Sequence, residues 1–125
     1  MPAKTPKNIL IVEDEKPTAQ ALQLKLQRSG FAAAIVTNGT DALEALLQRR
    51  YSLIILDLIV PQLDGFSFLA AMKDRGDPTP VIVVSNLSQP EDMARAAELG
   101  AKHFFVKSET TLAAIVNAIK KTLTP

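Results

Sequence analysis

The chain has 125 residues, of which 47% are hydrophobic and 22% charged, and its formal net charge is +1. This length and composition fit one globular domain with one core and exclude a disordered chain. The balanced charge gives no reason to expect direct binding to nucleic acid or to a membrane. The lack of cysteine excludes disulfides and thiolate metal sites.

No apolar run reaches the roughly 18 residues of a membrane span, and the run near the N-terminus is too short for the core of a signal peptide. A chain without cysteine also fits a reducing compartment. We therefore expect a cytoplasmic protein with one domain over residues 1–125, in which residues 1–7 form a loose N-terminal tail.

Five short apolar runs predict β-strands. In chain order they are Ile9–Val12, Ala32–Val36, Leu53–Leu56, Val81–Val84 and Phe104–Val106. The second run is rich in alanine, which has a low strand propensity. Most of the runs are apolar at successive positions, as expected for strands of a parallel sheet that is covered on both faces.

A helical pattern follows each predicted strand. The residues that mark these helices, in chain order, are Pro17 and Ser29–Gly30 for the first, Leu43 and Leu46 for the second, Asp64 and Met72 for the third, Pro90 and Gly100 for the fourth, and Leu112 and Ile119 for the last. Alternating strands and helices predict an α/β fold with a doubly wound, five-stranded parallel sheet.

Polar residues come directly after four of the strands. Glu13 and Asp14 follow the first, Asp57 the third, Ser85 the fourth and Lys107 the fifth. The carboxyl ends of parallel strands share one edge, where open α/β sheets bind ligands. If the strand order is 2-1-3-4-5, the first and third strands are neighbours, and three carboxylates crowd together at this edge.

Three crowded carboxylates favour a bound cation, because without one their mutual repulsion would raise at least one pKa. A site of carboxylates without His or Cys prefers a hard ion, and Mg²⁺ needs only one or two carboxylates. A carboxylate beside Mg²⁺ can attack a phosphoryl group, which makes Asp57 the predicted nucleophile. Lys107 and the Ser85 hydroxyl would then stabilise the charge of the transferred group.

Four motifs resemble those of response-regulator receiver domains of two-component signalling. They are VED (Val12–Asp14), DLIVPQLDG (Asp57–Gly65), VVSN (Val83–Asn86) and GAKHFFVKS (Gly100–Ser108). The resemblance extends from Ile9 to about Leu123. It implies a flavodoxin-like (βα)5 fold with strand order 2-1-3-4-5.

The resemblance also implies a role for each matching residue. Asp57 would be the phosphoacceptor, with Ser85 and Lys107 contacting the phosphoryl group. Phe104 would be the switch aromatic, whose rotamer follows the hydroxyl. The phosphoryl donor would be a histidine kinase or a histidine phosphotransfer protein. A downstream protein target would bind the face formed by the fourth helix, the fifth strand and the last helix.

The metal ligands are implied in the same way. Asp14 would bind Mg²⁺ directly and Glu13 through a coordinated water. Asp57 would also belong to the metal site, and the backbone carbonyl of Ile59 would complete the shell. The protein would catalyse only its own phosphorylation and dephosphorylation and would not otherwise be an enzyme.

The sequence departs from the family pattern at a few positions. Ser108 stands where proline is usual, often after a cis peptide. A cis bond before another residue costs about 3 kcal/mol, so we expect a trans bond here and Ser108 as the N-cap of the last helix. Val60 stands where methionine is common. His103, the only histidine, is expected at the surface or sheet edge and not as a phosphodonor.

Other functions agree less well with the residues. A phosphohydrolase of the haloacid dehalogenase type needs a second Asp two residues after the first, where this chain has Ile59. A flavin or nucleotide binder needs a Ser/Thr/Gly-rich loop after the first strand, where this chain is acidic. A docking module that takes no phosphate remains an alternative, although the complete set of site residues argues against it. The sequence leaves open whether the domain stands alone or belongs to a larger protein.

Asn86 follows Ser85, at a position where the family usually has a very small residue. We expect its larger side chain to alter the access of water to the phosphoryl group, and so its lifetime. Dephosphorylation rates of Asn86→Ala and the parent protein should therefore differ. Equal rates would exclude this effect.

Overall fold

The five strands of the computed structural model, which describes residues 6–124, form one parallel sheet. They are β1 (Asn8–Val12), β2 (Ala32–Val36), β3 (Leu53–Leu56), β4 (Val81–Ser85) and β5 (His103–Val106). The order β2-β1-β3-β4-β5 confirms the predicted topology, and each strand lies within one residue of its predicted bounds. The alanine-rich β2 pairs with β1 along its whole length, so sheet pairing outweighs its low propensity.

Five α-helices connect and follow the strands. They are α1 (Lys16–Arg28), α2 (Gly39–Gln48), α3 (Gly65–Asp74), α4 (Pro90–Glu98) and α5 (Leu112–Leu123), with a single 3₁₀ turn at Lys107–Glu109 before α5. Asp64 caps α3 as predicted, since its side chain accepts a hydrogen bond from the backbone N–H of Ser67 at 2.9 Å. Among the helices of residues 6–124, none has the length and apolar character needed to cross a membrane.

The prediction that Ser108 caps the last helix is wrong. Ser108 lies inside the 3₁₀ turn, and α5 is capped by Thr111, whose hydroxyl accepts from the backbone N–H of Ala114 at 3.1 Å. Both residues are of the capping type, and the 3₁₀ turn decides between them because it delays the start of the helix. The bond before Ser108 is trans, as expected, like every peptide bond in the described part of the chain.

Most of the segment predicted as a loose tail, residues 1–7, lies outside the described residues. Lys7 is described, and it contacts the domain. Its carbonyl accepts from the Ala32 N–H at 2.9 Å, and its Nζ donates to the Leu123 carbonyl at 2.8 Å. His103 begins β5 and is exposed, as predicted for this residue.

The two faces of the sheet are covered by different helices. Ile9 and Ile11 of β1, with the equivalent residues of β3 and β4, pack against α1 and α5. The alternate residues, such as Leu10 and Val12, pack against α2, α3 and α4. This division follows from the two-residue repeat of a strand, in which successive side chains point to opposite faces.

The loop between β3 and α3 packs tightly at Gly65. The Gly65 N–H donates to the Leu58 carbonyl at 3.0 Å. A Cβ at Gly65 would lie 2.6 Å from Leu58 Cα and 2.9 Å from the Asp57 carbonyl oxygen, both of them backbone atoms that cannot rotate away. The glycine therefore lets the first turn of α3 lie directly against the end of β3.

We expect Gly65→Ala to lower the free energy of unfolding by about 1–3 kcal/mol, because the new methyl group overlaps the backbone of Asp57 and Leu58, just after β3. Gly76→Ala is the matched control. Nothing lies within 4 Å of a Cβ there, and only a φ of +66° opposes the methyl group, so we expect a loss of about 1 kcal/mol. Urea denaturation measures both. A Gly65→Ala midpoint equal to that of the parent would contradict close packing.

Candidate functional site

The predicted polar residues meet at the carboxyl edge of the sheet. Val12 and Leu56 are register partners in β1 and β3, and the Asp57 N–H donates to the Val12 carbonyl at 3.0 Å. These strands therefore end level with one another, which brings Glu13 beside Asp57. Ser85 ends β4 and is fully buried, at the point where β4 pairs with Val106 of β5.

The Asp57 carboxylate is held from several sides. It is only 5% exposed. Its Oδ1 accepts a hydrogen bond from Ser85 Oγ at 2.9 Å and one from the Ile59 backbone N–H at 3.0 Å. Its Oδ2 accepts from Lys107 Nζ at 2.7 Å. These bonds fix the orientation of the carboxylate before any ligand arrives.

Lys107 forms ion pairs with three carboxylates. Its Nζ lies 2.6 Å from Glu13 Oε1, 2.7 Å from Asp57 Oδ2 and 3.1 Å from Glu15 Oε1. An ammonium group has three N–H donors, so each can serve one acid. Burial lowers the pKa of Lys107, but the hydrogen bonds to Asp57 and Glu13 outweigh burial and hold this pKa above its ordinary range. The ammonium therefore stays charged at neutral pH.

Glu13 is buried beside these groups. Its Oε2 accepts from the Glu15 backbone N–H at 3.1 Å. Burial raises the pKa of Glu13 above its ordinary value, although the hydrogen bond from Lys107 acts in the opposite direction. The acid is thus held in place by Lys107 and by the backbone at the start of α1.

The acidic residues fit a hard divalent cation. Glu13, Asp14 and Asp57 each offer a carboxylate oxygen, and these oxygens lie within 4.8 Å of one another. Asp14 is exposed, whereas the other two are buried. Asp14 and Asp57 also line an open cleft together with Ile59 and Asn86. Oxygen donors around an open cleft suit Mg²⁺, which keeps several waters when it binds to a protein.

Phe104 lies on β5, the strand next to β4, which ends at Ser85. It is half-buried in β5, where it pairs with Val83, two residues before Ser85. It packs against the core cluster shared with α2, α3 and α4. This position is compatible with a side chain that responds to Ser85.

Sequence reasoning missed two contacts at the site. Glu15 follows Glu13 and Asp14 directly in the sequence and has no predicted role, yet it pairs with Lys107. Asn86 and Ser108 were singled out separately as departures from the family pattern, and they bind each other: the Ser108 backbone N–H donates to Asn86 Oδ1 at 2.9 Å. The second contact could have been suspected, because only a residue other than proline offers this N–H.

We expect Lys107→Met to lower the free energy of unfolding by about 2 kcal/mol when divalent cations are absent, because two buried carboxylates lose their counter-charge. Lys73→Met is the matched control, since the exposed Lys73 only donates to the Glu98 carbonyl. Its effect should stay within about 0.5 kcal/mol. Urea denaturation in a chelating buffer compares them, and equal losses would show that the acids do not depend on Lys107.

Comparisons with known sequences and known structures point to the same protein family. The family model for the response regulator receiver domain matches residues 9–120 of this chain. The transcriptional regulatory protein PcoR of Escherichia coli is 38% identical over 99 residues, which make up 79% of this chain and 44% of PcoR. The chain spans about half the length of the curated relatives that it matches.

Solved structures agree with this match. The signal receiver domain of a signal transduction histidine kinase from Syntrophus aciditrophicus has a TM-score of 0.83 at 34% identity, over 94% of this chain and 89% of that one. The phosphorylated cyanobacterial phytochrome response regulator RcpA has a TM-score of 0.81 at 29% identity, over 95% of this chain and 94% of that one. The chain belongs to the response regulator receiver domains of two-component signalling.

Proposed function

We propose that this receiver domain is a phosphoacceptor switch in a two-component phosphorelay, with Asp57 as the acceptor. The observation that supports it best is the surroundings of the Asp57 carboxylate. It contacts a hydroxyl at 2.9 Å and an ammonium at 2.7 Å, and it lies within 4.8 Å of two further carboxylates. This combination of a hydroxyl, an ammonium and clustered carboxylates matches the needs of phosphoryl transfer.

The donor would be a histidine kinase or a histidine phosphotransfer protein in the cytoplasm. An oxygen of the Asp57 carboxylate attacks phosphorus and forms a P–O bond. The P–N bond of the phosphohistidine breaks, and its electron pair stays on the imidazole nitrogen. Lys107 pairs with the negative charge of the transferred group, and the Ser85 hydroxyl donates a hydrogen bond to one of its oxygens.

Glu13, Asp14, Asp57 and the Ile59 carbonyl are the groups that would hold Mg²⁺. When bound, this ion supplies positive charge that neutralises the phosphoryl oxygens. Glu13 would act on the ion through a coordinated water, as in the family pattern, and Asp14 is the exposed carboxylate of the three. The protein then catalyses only its own phosphorylation and dephosphorylation.

The output of the switch would be a change in the surface formed by α4, β5 and α5. In the unmodified protein the Ser85 hydroxyl donates to Asp57, and after transfer it can donate to the phosphoryl group instead. Phe104 of the neighbouring strand pairs with Val83, two residues before Ser85. A shift of both would change the population of two packings of α4, β5 and α5, and this face would bind the downstream protein.

Acetyl phosphate, with and without Mg²⁺, tests the acceptor through the intact mass of the protein. We expect one phosphoryl group per chain that requires Mg²⁺, because the acidic cluster repels the donor unless a cation is bound. Asp57→Asn should carry none. Asp64→Asn is the matched control and should be modified like the parent, since asparagine also caps a helix.

The possible results separate the functions. A folded parent protein without an adduct would show a docking module that takes no phosphate. An adduct that persists in Asp57→Asn would move the acceptor to another residue.

A further inference from the structure

A closed ring of contacts connects the end of β4 at Ser85 with the 3₁₀ turn that begins at Lys107. Both residues hydrogen bond to Asp57, at 2.9 and 2.7 Å. Each is followed in the chain by one partner of a further hydrogen bond, from the Ser108 N–H to Asn86 Oδ1 at 2.9 Å. The segments at the carboxyl ends of β4 and β5 are thus joined twice, once through Asp57 and once through the bond between Asn86 and Ser108.

The second connection requires both residues. Asn86 supplies a side-chain acceptor, which a very small residue at this position would lack. Ser108 supplies a backbone N–H, which proline lacks. The two departures from the usual receiver pattern therefore form one interacting pair, and neither residue could make this bond with the usual residue opposite it.

The bond has more effect on position than on stability. Asn86 and Ser108 are both exposed, and an exposed hydrogen bond competes with water, so its net contribution is small. The bond matters because it lies directly after Lys107 in the chain. Because residue 108 is not proline, the backbone after Lys107 is freer to rotate, and the bond to Asn86 restricts it. Lys107 in turn must keep its Nζ among three carboxylates.

We propose that Asn86 is a positioning residue for phosphoryl transfer, which acts through the Ser108 backbone N–H to hold the 3₁₀ turn that begins at Lys107 against the end of β4 at Ser85. The proposal rests on the proposed function of Asp57. It differs from an effect of Asn86 on water access, because an effect on water would not depend on the residue at position 108.

A double-mutant cycle tests this dependence. We expect Asn86→Ala to slow phosphorylation by acetyl phosphate with Mg²⁺ by roughly two- to tenfold, the size of one exposed hydrogen bond. In a Ser108→Pro background, whatever that change does alone, Asn86→Ala should have no further effect, because no N–H remains. Ser108→Ala is the matched control: it keeps the N–H, so Asn86→Ala should retain its full effect there.

The carbon-13 resonance of Lys107 Cε gives a readout that needs no phosphate. In Asn86→Ala we expect it to move toward that of the exposed Lys73, with an unfolding midpoint close to that of the parent, because the exposed bond adds little to stability. Each variant is made in the whole 125-residue chain, so that the sheet and both loops are present in every measurement.

Each outcome of these measurements either supports or overturns the proposal. Equal slowing by Asn86→Ala in the parent and in the Ser108→Pro background would overturn the proposal, as would an unchanged rate or an unmoved Lys107 resonance. A parent protein that takes no phosphate would overturn the proposed function instead, and the Lys107 resonance would then still show whether Asn86 positions this lysine.

Discussion

The ion pairs of Lys107 are the interaction on which the site depends. Two of its partners, Glu13 and Asp57, are each only 5% exposed, and buried carboxylates without a counter-charge are strongly unfavourable. The three residues come from the ends of β1, β3 and β5. One side chain therefore holds together the carboxyl edge of the sheet, across the strand that carries Ser85.

In the proposed function, the same arrangement would prepare Asp57 to accept a phosphoryl group. Its hydroxyl and ammonium partners are in place in the unmodified protein, so they need little rearrangement to stabilise an anionic group on the carboxylate. Donors that are oriented in advance stabilise developing charge more effectively than water, which must reorganise. The backbone N–H of Ile59 and the close packing at Gly65 keep the loop beneath Asp57 in place.

Sequence reasoning predicted the strands and the meeting of the polar residues for one reason. Strands of a parallel sheet are apolar runs that end at one edge, so a residue's place after a run gives its place in the fold. Contacts between loops do not follow this rule. The cap at Thr111, the pairing of Glu15 with Lys107 and the bond between Asn86 and Ser108 depend on the path of a few loop residues, which no periodicity encodes.

The division of the sheet into two faces has a consequence for how this domain can vary. Ile11 of β1 and Ile55 of β3 face α1 and α5. The same two-residue repeat places Glu13 and Asp57, just past the two strands, on this face. These two acids line a cavity there with Ile11 and Ile55. A substitution within β3 leaves that alternation intact. A single-residue insertion or deletion between Leu53 and Asp57 would turn the carboxylate to the opposite face and place a leucine beside Lys107. The strands before the site can therefore change in residue type but not in length.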